Sequence, residues 1–199
     1  MSVVAARAST SDCQCLANRP PMNIDFSQNH FQLFGLPVGF RLDIDRLEQA
    51  YRNVQSQVHP DRFSHLDEQQ KRLSLQWATQ ANEAYQTLRH PLARARYLLQ
   101  LNGFDTCEET NTAMPADFLM AQMEWREAIG DAKAAQASDE LADLSRRLHH
   151  EVAALHQQVE TMLDDLQAFE AAAELVRKLR FFEKLDLELE DAIDALVQP

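Results

Sequence analysis

Apolar residues recur at helical spacing along almost the whole chain, and the interruptions divide it into elements. Leu47, Tyr51, Val54 and Val58 fall at i, i+4, i+7 and i+11, the stripe of a helix with one buried face. Leu73, Trp77, Ala81, Ala84 and Leu88 repeat the pattern in a second helix, expected to start near Asp67 or Glu68. Between them lies Val58-His59-Pro60-Asp61-Arg62-Phe63. Pro60 pushes His59 out of the α region and removes a backbone donor, so the first helix must end there. Two helices joined by so short a connection pack antiparallel, leaving the loop at one end of the hairpin.

Upstream, His30 to Phe34 forms a short apolar segment stopped by Gly35 and Pro37, the signature of a helix end. Asp43 or Asp45 is placed to cap the helix that follows. Downstream, Pro91 suits the first turn of a helix holding Leu92, Tyr97, Leu98, Leu99 and Leu101. Periodicity then breaks over 102–112, which contains Gly103 and Cys107-Glu108-Glu109-Thr110-Asn111-Thr112. The apolar surface of Tyr97, Leu98 and Leu99 is expected to dock a second domain rather than face water.

That second part predicts three helices. The first spans about Pro115 to Ile129. The next begins after Ser138, a good cap, with Leu141, Leu144, Leu148, Val152, Leu155, Val159, Met162 and Leu166 in steps of three and four. The last, about Phe169 to Val197, buries Leu175, Leu179, Phe182, Leu189, Ile193 and Leu196. The expected fold is all-α: an extension over 1–28, a four-helix unit at 29–101, a linker at 102–112 and a three-helix bundle at 113–199.

Composition narrows the function. Four glycines in 199 residues argue against a fold of tight hairpins. Residues 1–100 carry 11 Lys and Arg against 9 Asp and Glu, residues 101–199 carry 8 against 22. An acidic second half excludes a general nucleic-acid surface, which needs cations to neutralise phosphates, and suits a partner with a basic patch. No apolar run reaches the ~18 residues of a membrane span. Cys13, Cys15 and Cys107 are too few and scattered for a disulfide framework, and Cys13-Gln14-Cys15 has the wrong spacing for zinc, so neither metal nor other cofactor is expected and a reducing, cytoplasmic setting is. Residues 1–21 lack the apolar core of a secretory signal and read as a flexible tail, or as sequence upstream of a start at Met22; being short of acid and holding Arg7 and Arg19, they also admit a transit peptide, which in a eukaryote would make the setting the mitochondrial matrix.

One group of side chains exceeds what the cores require. On a wheel of ~100° per residue, Phe118, Ala121, Gln122, Trp125, Ala128 and Ile129 share one arc. Leu119, Met120 and Met123 fall on the other side, beside Glu124, Glu127 and Asp131. Phe181 lies about 100° off the centre of its own helix's stripe and is expected to be exposed. Two adaptable methionines, an aromatic anchor and an acidic surround compose a candidate docking patch.

His59-Pro60-Asp61 with Ala81 to Pro91, Arg94, Arg96 and Tyr97 resembles the J-domain. Adding Leu33-Phe34-Gly35-Leu36-Pro37, Phe118-Leu119-Met120 and Val176 to Phe181, the chain from about 29 to 197 resembles the HscB family of iron–sulfur co-chaperones. The likeness implies that the J-domain stimulates ATP hydrolysis by a DnaK-type chaperone, HscA, through His59, Pro60 and Asp61 with Arg46, Arg52 and Arg62. It implies that the bundle carries the scaffold protein IscU on Leu119, Met120, Met123, Glu124, Glu127, Asp131 and Phe181. Where the family often has basic residues on the second helix, this chain has Gln55, Ser56 and Gln57.

Two rival readings find less. His150-Glu151 lacks the second histidine of a zincin, and no strand with a glycine-rich phosphate loop is evident, leaving only His59 with Asp61 as a base and its orienter. A generic J-domain chaperone would carry a glycine-phenylalanine linker or a zinc module, and this chain has neither.

Overall fold

The structure, a computed structural model, describes residues 27–58, 68–106 and 115–197. Among them every regular element is helical. The order is α1 (His30–Leu33), α2 (Ile44–Val58), α3 (Glu68–Arg89), α4 (Pro91–Leu101), α5 (Ala116–Ala134), α6 (Ser138–Glu160), a π-helical turn (Thr161–Asp165) and α7 (Phe169–Val197). The all-α expectation is borne out. The loop carrying His59, Pro60, Asp61 and Arg62 lies outside the described residues, as do residues 1–26 and 107–114.

Local chemistry sets the ends of these helices. Asn29 opens α1 with a capping box, its side chain accepting from the Gln32 N–H at 2.8 Å while the Gln32 amide accepts from the Asn29 N–H at 3.0 Å. Gly35, at φ +64°, closes it, with the Leu36 N–H donating to the Phe31 carbonyl at 2.9 Å. Asp43 caps α2 by accepting from the Arg46 N–H at 3.1 Å. Pro91 opens α4 as expected, and Gly103 closes it at φ +79°.

Expectations for α5 and α6 need correction. α5 does not stop at Ile129 but continues through Gly130 to Ala134, burying Ala132. A lone glycine costs a helix only about 1 kcal/mol, less than the packing gained beyond it. Ser138 is the first residue of α6 rather than its cap; Ala137 holds that position without a side-chain hydrogen bond. Leu166, placed on the buried stripe of α6, is 62% exposed. The wide turn at Thr161–Asp165, closed by the Leu166 N–H on the Thr161 carbonyl at 3.0 Å, breaks the 3.6-residue register and rotates Leu166 out.

The connection between α5 and α6 turns at Gln136, a non-glycine at φ 53°. Side chains pay a steric cost in this left-handed region. Gln136→Gly is therefore expected to raise stability by about 0.5–1 kcal/mol, read as an increase in the denaturation midpoint at unchanged m-value.

In the first four helices α2 packs against α3, with Tyr51 stacked on Tyr85 at a ring separation of 4.1 Å and its hydroxyl donating to the Asn82 carboxamide oxygen at 2.5 Å. Phe31, Leu47, Ala81, Ala84, Leu88, Leu92 and Leu99 are buried around them. Leu73, expected on the stripe of α3, is exposed. In the last three helices, Leu141, Leu148 and Val159 of α6 are buried with Val176, Leu179, Leu185 and Leu189 of α7.

The two groups of helices share an interface. α4 packs against α7, and Leu98 and Leu99 are buried, but Tyr97, expected with them to dock the second domain, turns to α1 instead: it stacks on His30 at 4.1 Å and accepts the His30 N–H at 2.9 Å. Phe104 meets Phe169 at 5.2 Å, and Arg177 Nη1 donates to the Thr106 carbonyl at 3.3 Å. Phe40, in the α1–α2 loop, is 4% exposed between Arg94 of α4, whose guanidinium lies 5.0 Å above its ring, and His156 of α6. Burial lowers the pKa of Arg94, opposed by Asp164 and Glu160.

Burial likewise lowers the pKa of His156, and Arg94 adds to the effect. The unfolded chain therefore binds a proton at this site more readily than the native one. Native stability is fully present above the unfolded value of about 6.5 and falls as the pH drops through the depressed folded value. A melting temperature followed from about pH 7.5 to pH 5.5 is expected to decline, and His156→Gln to flatten part of that slope.

Candidate functional site

α5 presents two unlike faces. Ile129 and Ala132 are buried and Phe118, Trp125 and Ala128 half-buried toward α6 and α7. Leu119, Met120, Met123, Glu124, Glu127 and Asp131 occupy the opposite side, within roughly 140° of arc at 100° per residue. Leu119 is 44% exposed, Met120 63% and Met123 72%; the three acids are exposed as well. None of the apolar three is covered by the first four helices. They form a continuous apolar strip edged by carboxylates, flexible enough at the methionines to fit a partner's contour.

Phe181 departs from the expectation of an exposed anchor. It is 8% exposed, set against Phe118 at 5.5 Å and Phe182 at 5.4 Å, with the Arg126 guanidinium 5.5 Å over its ring. The wheel assumed one buried stripe, but α7 is packed by α4, α5 and α6 at once, so its buried arc is far wider. Phe181 thus lies beneath α5 and supports the strip through Phe118. Lys178 covers the other side of this aromatic cluster, 5.6 Å from the Phe118 ring, and Arg126 also pairs with Glu188 at 3.8 Å.

On α2 both arginines are exposed. Arg46 reaches Asp43 at 4.0 Å, and Arg52 pairs with Glu48 one turn back at 2.9 Å. Such exposed pairs are weak and leave the cations available to a partner's acid. The loop residues His59, Pro60, Asp61 and Arg62 fall outside the described residues, so their geometry relative to Arg46 and Arg52 is not part of this picture.

Among the described residues the histidines do not gather into a catalytic or metal-binding group. His149 faces Asp186 at 3.3 Å, His150 is exposed and His156 lies against Phe40. Among the described residues no cluster of three His, Cys, Asp or Glu side chains is arranged to hold a metal ion, and no helix is long and apolar enough to cross a membrane.

The described residues form a helical hairpin unit docked on a three-helix bundle with an exposed apolar strip, an all-α architecture, and its relatives place the chain among the co-chaperones. A 57% identical relative over 176 residues is a co-chaperone protein HscB homolog of Chromobacterium violaceum; the match covers 88% of this chain and 99% of the relative. One from Aromatoleum aromaticum is 52% identical over 175 residues, again covering 88% and 99%. Residues 114–190 match the HSCB C-terminal oligomerisation domain. The chaperone HscB from Vibrio cholerae superposes with a TM-score of 0.77 at 36% identity, covering 85% of this chain and 99% of that one. The human co-chaperone protein HscB gives 0.76 at 30% identity over 93% and 91%. The chain belongs to the HscB family of co-chaperones. Proteins of this family assist a chaperone and are not enzymes themselves.

Proposed function

We propose that this chain couples a cargo to a DnaK-type ATPase chaperone in iron–sulfur cluster assembly, in the cytoplasm. Residues 29–101 act as the J-domain that engages the chaperone, HscA, and residues 113–199 carry the scaffold protein, IscU. What supports the reading is the strip of Leu119, Met120 and Met123, left exposed on the side of α5 that its own core does not use and edged by Glu124, Glu127 and Asp131. A desolvated apolar centre with a charged rim is the composition of a protein-binding surface, and the carboxylates select a partner with a basic patch.

On the chaperone side Asp61 offers a carboxylate to an arginine of the ATPase, His59 makes polar contacts and positions the loop, and Pro60 restricts its conformations. Arg46, Arg52 and Arg62 add electrostatic attraction. This chain breaks no bond: by binding the hydrolysis-competent state of the ATPase better than its alternatives, it raises the population of that state. Cargo held on α5 arrives at the same chaperone as the stimulus.

ATP turnover by HscA, measured with this chain and with or without IscU, tests the proposal. Stimulation by this chain alone, increased further by IscU, is expected. A chain that binds denatured model proteins as well as it binds the folded scaffold would instead be a generic J-domain chaperone.

A further inference from the structure

The α1–α2 loop is tied to the far end of α6 by one carboxylate. Asp164 accepts the Phe40 N–H on Oδ1 and the Arg41 N–H on Oδ2, each at 2.7 Å. Beside it the Arg41 side chain pairs with Glu160, Nε to Oε1 at 2.7 Å. These contacts join residues more than a hundred positions apart. The site is closely fitted: a Cβ added at Gly39 would lie 3.3 Å from Asp164 Oδ1. The π-helical turn that rotates Leu166 outward is the same turn that carries Asp164. Three residues beyond Arg41 begins α2, which runs on to the His59 loop.

We propose that Asp164 is a positioning residue: by seizing two consecutive amides at the entry to α2, it fixes the direction of that helix relative to the bundle, and so the placement of the chaperone-binding end relative to the cargo-binding face of α5. Two charge-assisted bonds from adjacent N–H groups define a direction at the entry to α2, which the apolar α4–α7 contact and the single Arg177–Thr106 hydrogen bond do not reach. The functional consequence rests on the reading given above, because fixed geometry matters only if both partners are bound together. Rigid presentation raises the effective concentration of the cargo at the chaperone.

The test uses the full chain as Asp164→Asn, whose carboxamide accepts one of the two N–H groups but sets its own NH₂ against the other. Gly39→Ala serves as a second variant, crowding the same carboxylate from the α1–α2 loop without removing it. Amide exchange at Phe40 and Arg41 is expected to accelerate about tenfold, the factor that loss of one charge-assisted hydrogen bond corresponds to. Residual dipolar couplings should show a broadened orientation of α2 against α6, a readout that a purely local structural role would not move. Scaffold affinity and scaffold-free ATPase stimulation should stay within about twofold, while the scaffold-dependent part of the stimulation falls about threefold or more. Unchanged couplings in both variants overturn the positioning role, and so does faster exchange with full scaffold-dependent stimulation. If wild-type protein shows no scaffold-dependent stimulation, the proposed function fails instead, and the couplings still decide whether Asp164 orients the two halves.

Discussion

His59→Gln is expected to abolish the proposed stimulation of the chaperone ATPase and to leave scaffold binding unchanged. Glutamine keeps a polar side chain of similar reach but loses the imidazole, and the residue before Pro60 has little freedom to compensate, since proline holds it out of the α region. The proposed cargo strip lies on α5, in the other group of helices, so loss of a loop contact has no direct route to it. Steady-state ATP turnover and a scaffold titration of the same preparation check both halves of the statement. Loss of both activities together contradicts separate surfaces.

Met120→Ala combined with Met123→Ala is expected to weaken the proposed scaffold binding by about 2 kcal/mol or more, a factor of about 30 in the dissociation constant. At 63% and 72% exposure, neither methionine contributes much to the native core, so the melting temperature of the double variant should match the parent's. An unchanged titration rejects the strip. Phe181→Ala is the wrong probe for direct contact: removing a buried aromatic from its cluster with Phe118 and Phe182 costs about 3–5 kcal/mol of stability and displaces α5 as well. Scaffold affinity and stability should fall together in that variant, whereas the methionine variant loses affinity alone.

Helices, their order and most of their ends were legible in the amino-acid sequence, because these depend on forces acting within a few residues. The i, i+4, i+7 stripes of α2 and α3, the stops at Gly35 and Gly103, the Asp43 cap and the proline opening α4 each carry a local steric or hydrogen-bond cause. The exposure of Leu119, Met120 and Met123 was legible for the same reason: on a helix with one core-facing arc, the opposite arc is determined by 3.6-residue geometry. Only the tertiary structure decided the rest. Phe181 went from exposed to buried because three helices converge on α7, and a wheel contains no information on how many neighbours a helix has. Asp164 looks in sequence like any solvent-facing acid at a helix end. Its partners at Phe40 and Arg41 are more than 120 positions away, so the residues beside it carry no signal of the contact, which exists only once the two groups of helices are packed together.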